Sequence, residues 1–196
     1  MSRLVINFVT TNVHKFAVAQ HFFETAGLDI DLRQYDIETP EIQADTVDQV
    51  ALNSAKWVAE KLNQPVVVAD AGLYIEGLNG FPGPYIKYIN STLSLEDILA
   101  MMAGKKSRRA EFVDALAYYD PATQTEQVFS SGTLGRIVSE PATSDGSATD
   151  RIFAIEGFYV PLADMSEADR KKAWNTRRWQ ELIDFLAEVT RGPAVR

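Results

Sequence analysis

After Pro65 the chain runs Val66-Val67-Val68-Ala69-Asp70-Ala71-Gly72, an apolar stretch whose first polar residue is a single carboxylate. β-Branched residues without polar interruption fit a strand buried on both faces, and such strands occur where helices cover both sides of a largely parallel sheet. The stretch therefore points to an α/β fold. Asp70, followed by a small residue and a glycine, is expected at the strand end, where α/β folds place their chemistry. A carboxylate held there suits Mg²⁺, which is usually bound by one or two carboxylates, with water and substrate phosphates in its remaining positions. The alternative is that Asp70 and Gly72 only begin a turn.

The segment Gly80-Phe81-Pro82-Gly83-Pro84-Tyr85-Ile86-Lys87 concentrates glycine, proline and a cation. It reads as a stiff loop whose backbone approaches a ligand closely and whose Lys87 reaches a phosphate. Near the N-terminus, Leu4–Val9 reads as another buried strand. Thr10-Thr11-Asn12-Val13-His14-Lys15 follows as a polar turn opening a helix over Phe16–Ala26, with Gly27 as its C-cap. Backbone N–H groups and the dipole at such a helix start favour an anion, and Thr10, Thr11, Asn12 and Lys15 can add donors. Plain N-capping by Thr11 or Asn12 is the competing use of the same residues.

Composition narrows the function classes. The 196 residues are 46% hydrophobic and 23% charged, enough for one domain over residues 1–196 with its own core. A net charge of −8 argues against a broad nucleic-acid surface, although a few local cations and a metal can still reverse the field inside one cleft. With no cysteine, disulfides and thiolate metal sites are excluded, which leaves oxygen ligands and two histidines. No stretch reaches the roughly 18 apolar residues of a membrane span, and the N-terminal apolar run is short for a signal peptide, so a cytoplasmic protein is expected.

The rest reads as alternating elements. Leu28–Tyr35 is a second strand, Asp36–Asp45 an acidic irregular segment, and Val47–Leu62 a helix with apolar spacing at Val50, Ala51, Ala55, Val58 and Leu62. Leu95–Met102 reads as a helix closed by Gly104, and Lys105–Arg109 as a basic surface turn. Phe112–Tyr119 and Thr125–Ser131 form an antiparallel pair around Asp120-Pro121-Ala122-Thr123, and Leu134–Val138 continues the sheet. Asp145–Arg151 is a polar loop. A helix from about Glu167 to Val189, broken near Asn175, carries Trp174 and Trp179 toward the core, and Gly192–Arg196 is a tail.

Val-Val-Val-Ala-Asp-Ala-Gly-Leu followed by Gly-Phe-Pro-Gly-Pro-Tyr-Ile-Lys resembles the signature of the inosine triphosphate pyrophosphatase family, whose members hydrolyse non-standard purine nucleoside triphosphates to monophosphate and pyrophosphate. The resemblance implies an elongated mixed β-sheet flanked by helices, two lobes with a cleft between them, Mg²⁺ and a homodimer. It assigns the triphosphate to Thr10, Thr11, Asn12, Lys15 and Lys87, the metal to Glu41 and Asp70, catalysis to Asp70, and the base pocket to Ser147, Asp150, Lys171 and Arg177.

Several positions depart from that pattern. Two adjacent acids are reduced to Ala69-Asp70, and a helix lysine falls on Ser54, with Lys56 on a different face. Two aromatics of the base loop become Ser147 and Thr149, and a Ser-His pair becomes Asn175-Thr176. The phosphate residues are kept while the base-reading ones change, which implies altered base specificity. Two rivals remain beside the enzyme: a nucleotide-binding relative without turnover, and a structural domain without a ligand.

Overall fold

The computed structural model describes residues 3–191, so the tail at Gly192–Arg196 lies outside the described residues. One mixed sheet runs through the chain in the strand order β2-β1-β3-β5-β6-β7. Its strands are β1 (Leu4–Val9), β2 (Ile30–Tyr35), β3 (Val66–Ile75), β5 (Arg109–Asp120), β6 (Thr125–Ile137) and β7 (Phe153–Ile155), with the two-residue β4 (Pro82–Gly83) paired to β3. β1 is parallel to β2 and β3, whereas β3, β5, β6 and β7 pair antiparallel. At about 3.4 Å per residue the twelve residues of β5 span about 40 Å, which gives the sheet its elongated form.

Helices cover both faces, as the apolar strands require. On one face α1 (Val13–Ala26) and α6 (Arg177–Arg191) pack over Ile6, Phe8, Val67, Leu116 and Tyr118. Further along that face α3 (Ile86–Thr92), α4 (Leu95–Met101) and α5 (Glu167–Ala173) border a second cluster around Leu73, Ile75, Phe112 and Phe153. α2 (Val47–Leu62) covers the opposite face with Val47, Ala51, Ala55, Val58 and Ala59. Trp179 stacks against Phe22 at 5.0 Å and Phe8 at 5.9 Å, in the core as its helical spacing predicts.

Four sequence expectations are corrected. β3 does not end at Asp70 but continues to Ile75, because β5 supplies an antiparallel partner along its whole length, from Val66↔Tyr119 to Ile75↔Ala110. What ends near Asp70 is the neighbour on the other side: β1 pairs with β3 only as far as Val68. The supposed stiff loop carrying Lys87 becomes β4 and then α3, with the prolines lying before the first helical turn, where a missing N–H costs nothing. Within the basic turn, Arg108 is tied inward, donating from Nε to Ile137 O at 2.7 Å and from Nη2 to Val138 O at 2.7 Å. Thr125–Ser131 and Leu134–Ile137 belong to one strand, β6, since β5 pairs with it continuously, and Val138 lies just past its end.

Glycine at position 72 has a packing reason. A Cβ there would lie 2.7 Å from both Gly83 O and Val47 Cγ1, so only a bare backbone lets β4 and α2 close on β3 at this point.

Candidate active site

Where β1 stops, a cavity of about 590 Å³ opens beside β3. Thr10, Thr11, Asn12 and Lys15 line it from the turn between β1 and α1, Glu41 from the acidic segment, Asp70 from β3 and Lys87 from α3. Seven residues singled out from the sequence thus share one cleft.

The turn is fixed from several sides. Thr10 N donates to Tyr35 O at 3.1 Å, and Gln34 Nε2 donates to Thr10 O at 3.0 Å, so β2 anchors its start. Asn12 caps α1, its Oδ1 accepting from His14 N at 2.9 Å and Lys15 N at 3.2 Å, while Thr10 Oγ1 accepts from Asn12 N at 3.1 Å. Capping and anion binding use different atoms. The cap occupies oxygen lone pairs, whereas the Thr10 hydroxyl proton and the Asn12 amide N–H groups remain available as donors. The N-capping alternative therefore holds without removing the turn from the cleft.

Asp70 is the most perturbed acid of the cleft. Burial raises its pKa from 3.8 to about 6; the Ala71 N–H, donating to Oδ1 at 2.8 Å, opposes this, as do Lys15 and Lys87, while Glu41 adds to the rise. Glu41 Oε1 accepts from Lys87 Nζ at 2.9 Å, and that contact holds the ammonium above its usual pKa. Both partners are largely exposed, so the bridge is weak in free energy and available for exchange with another ligand.

The base-side residues are placed differently. Ser147, Asp150, Lys171 and Arg177 stand outside the cavity lining. Lys171 is exposed on α5, with Nζ 2.7 Å from Glu167 Oε1. Arg177 Nη2 donates to Ser130 O at 3.4 Å, and Ser130 lies on the Asp70–Ala115–Ser130 rung. Two strand spacings, about 10 Å, separate that point from Asp70 along the sheet. The Ser147–Asp150 loop meets the cleft at Asn90, which lines the cavity and hydrogen-bonds Thr149.

Ser54 lines the cavity, whereas Lys56 forms an ion pair with Glu126 and lies 5.8 Å from the Tyr119 ring centroid, against the β5–β6 hairpin. Lys56 therefore does not stand in for a cleft lysine. Asn90 was missed from the sequence; its signal is the three-residue offset from Lys87, which becomes meaningful only once the segment is known to be helical.

Residues 6–179 match the Ham1 family. The chain belongs to the Ham1 family. It is 36% identical over 182 residues to the dITP/XTP pyrophosphatase of Thermococcus kodakarensis, covering 92% of this chain and 96% of that protein. Against the dITP/XTP pyrophosphatase of Methanopyrus kandleri it is 36% identical over 165 residues, covering 84% and 86%. A HAM1 protein from Coxiella burnetii shares the fold with a TM-score of 0.81 at 21% identity, over 94% of this chain and 98% of that one. This is the family that the strand and loop motifs resemble.

Proposed function

We propose that this chain hydrolyses non-standard nucleoside triphosphates to the monophosphate and pyrophosphate, with Mg²⁺ and with a base preference shifted from the family pattern. One observation carries the reading: the turn at Thr10–Lys15, Glu41, Asp70 and Lys87 converge on a single cavity. The naming of its relatives as dITP/XTP pyrophosphatases agrees with it.

Glu41 and Asp70 are a donor set that fits Mg²⁺, hard oxygen ligands few enough to leave room for water and phosphate. No cluster of three candidate ligands occurs among the described residues, so water and substrate phosphates would have to complete the coordination. Such an ion lowers the pKa of water and offsets phosphate charge. Thr10, Thr11, Asn12 and Lys15 hold the phosphates at the N-terminus of α1, and Lys87 meets charge developing on the leaving pyrophosphate. Asp70, ionised, accepts a proton from the attacking water. Ser147 and Asp150 from their loop, Lys171 from α5 and Arg177 from α6 provide the base side. By resemblance alone the protein works as a cytoplasmic homodimer.

A second reading has its own observation. Ala69 and Ser54 both line the cavity as neutral residues, so the cleft holds one β3 acid and no α2 lysine, which suits a nucleotide-binding relative without turnover. Pyrophosphate release from XTP, ITP, dUTP and the common triphosphates, with and without Mg²⁺, separates the two. Mg²⁺-dependent release from at least one supports the enzyme. A thermal shift by a nucleotide without release from any supports the binding protein.

A further inference from the structure

α3 carries two polar side chains into the cleft, Lys87 and, one turn on, Asn90. Asn90 is held by a reciprocal pair of hydrogen bonds: Nδ2 donates to Thr149 Oγ1 at 3.0 Å, and Thr149 N donates to Oδ1 at 3.1 Å. Thr149 is itself fixed, with 1% of its surface exposed, Oγ1 lying 3.2 Å from Ser147 Oγ, and its carbonyl accepting from Phe153 N at 3.0 Å. The two bonds determine which end of the Asn90 amide is oxygen and which is nitrogen, so the group cannot flip. An amide nitrogen carries two hydrogens. One goes to Thr149; the other has no protein acceptor among the described residues, and the side chain borders the cavity.

We propose that Asn90 is a specificity-determining residue, whose spare N–H, oriented by Thr149, donates to an oxygen of the nucleoside portion of the substrate. The inference rests on the function proposed above. The phosphates lie between the α1 turn and Lys87, so the next polar group along α3 meets the adjoining part of the nucleotide, its sugar or its base. Both offer the same chemistry here, an oxygen acceptor: a sugar hydroxyl or a base carbonyl. A donor fixed before binding loses no rotamer entropy on contact, and a buried donor left unmatched penalises a substrate that lacks the acceptor.

The test is calorimetric binding to the full chain with Mg²⁺, using the non-hydrolysable α,β-imido analogues of ITP and dITP and inorganic tripolyphosphate, which has neither sugar nor base. Asn90→Leu is expected to weaken the ITP analogue about tenfold and tripolyphosphate by less than about twofold. Thr149→Val, which keeps Asn90 but removes the hydroxyl that orients it, is expected to weaken the same analogue about threefold and to spare tripolyphosphate. Loss on both analogues assigns a base carbonyl or the 3′-oxygen; loss on the ITP analogue alone assigns the 2′-hydroxyl. An equal loss on tripolyphosphate, which a mere brace for Lys87 gives, overturns the proposal, as does no loss on any nucleotide. A wild-type chain that binds the analogues but releases no pyrophosphate overturns the enzyme reading and leaves this test decisive. A wild-type chain that binds no analogue overturns both.

Discussion

Asp70 spends stability for function. Its carboxyl titrates near 6 in the folded chain against 3.8 for the free side chain, so between those values the folded state holds the extra proton and stability falls as pH rises. Asp70→Asn removes the desolvated charge while keeping the shape. In urea denaturation at pH 7.5 the variant is expected to be more stable than wild type by about 1–3 kcal/mol, with the difference vanishing by about pH 3. The same variant should lose turnover by about 10²-fold or more. Full activity, or equal stability at both pH values, contradicts the role given to this residue. A second consequence concerns rate: kcat/KM at low Mg²⁺ should fall below a pH of about 6, because Asp70 must be ionised to hold metal or accept a proton. Raising Mg²⁺ should move that limb to lower pH, since metal and proton compete for the carboxylate. A limb that does not respond to Mg²⁺ argues that Asp70 is no ligand.

α2 shows how one element separates two jobs by helical phase. Ser54 looks into the cleft, and Lys56, two residues on, ties the helix to the hairpin through Glu126. Lys56→Ala should therefore leave kcat and KM within about twofold and cost at most about 1 kcal/mol in urea denaturation, as exposed pairs do; a large loss of kcat returns this lysine to the chemistry. Elements of this kind were legible in the sequence because their signals are local. The bounds of α2 follow from its apolar spacing, while the Thr46–Gln49 capping box that starts it is seen only in the structure. β1 and the break near Asn175 were equally plain. What escaped depends on distant partners: β3 runs through Asp70 only because β5, some forty residues later, stays paired with it. The segment before Lys87 reads as a loop because its prolines and glycines are equally compatible with a turn and with the approach to a helix, which begins only at Ile86. Of the cleft, the turn, Glu41, Asp70 and Lys87 could be named in advance, Glu41 by family resemblance; Asn90 could not, since its meaning comes from Thr149, 59 residues away.

Across the whole molecule, a polar seam divides the two apolar clusters on the α6 face. Asp114 Oδ2 accepts from Trp174 Nε1 at 2.7 Å and lies 3.5 Å from Arg178 Nη2, while Arg178 Nη1 donates to Asn175 O at 2.7 Å. These bonds anchor the α5–α6 break to β5 and so place the base-side residues relative to the cleft. Asp114→Ala strands the Arg178 guanidinium, 8% exposed, and should cost about 3 kcal/mol in urea denaturation; a loss below about 1 kcal/mol shows that the seam does not hold the parts together. A second cavity of about 590 Å³ lies further along the sheet, beside Glu76, Arg109, Glu111 and Arg136, and offers an independent place for a ligand. The choice between the two is settled by a crystal structure of Asp70→Asn with XTP and Mg²⁺. The triphosphate should lie between the Thr10–Lys15 turn and Lys87, with the nucleoside toward Asn90. A nucleotide seated in the second cavity, or phosphates directed away from position 70, contradicts the assignment of this cleft to phosphate hydrolysis.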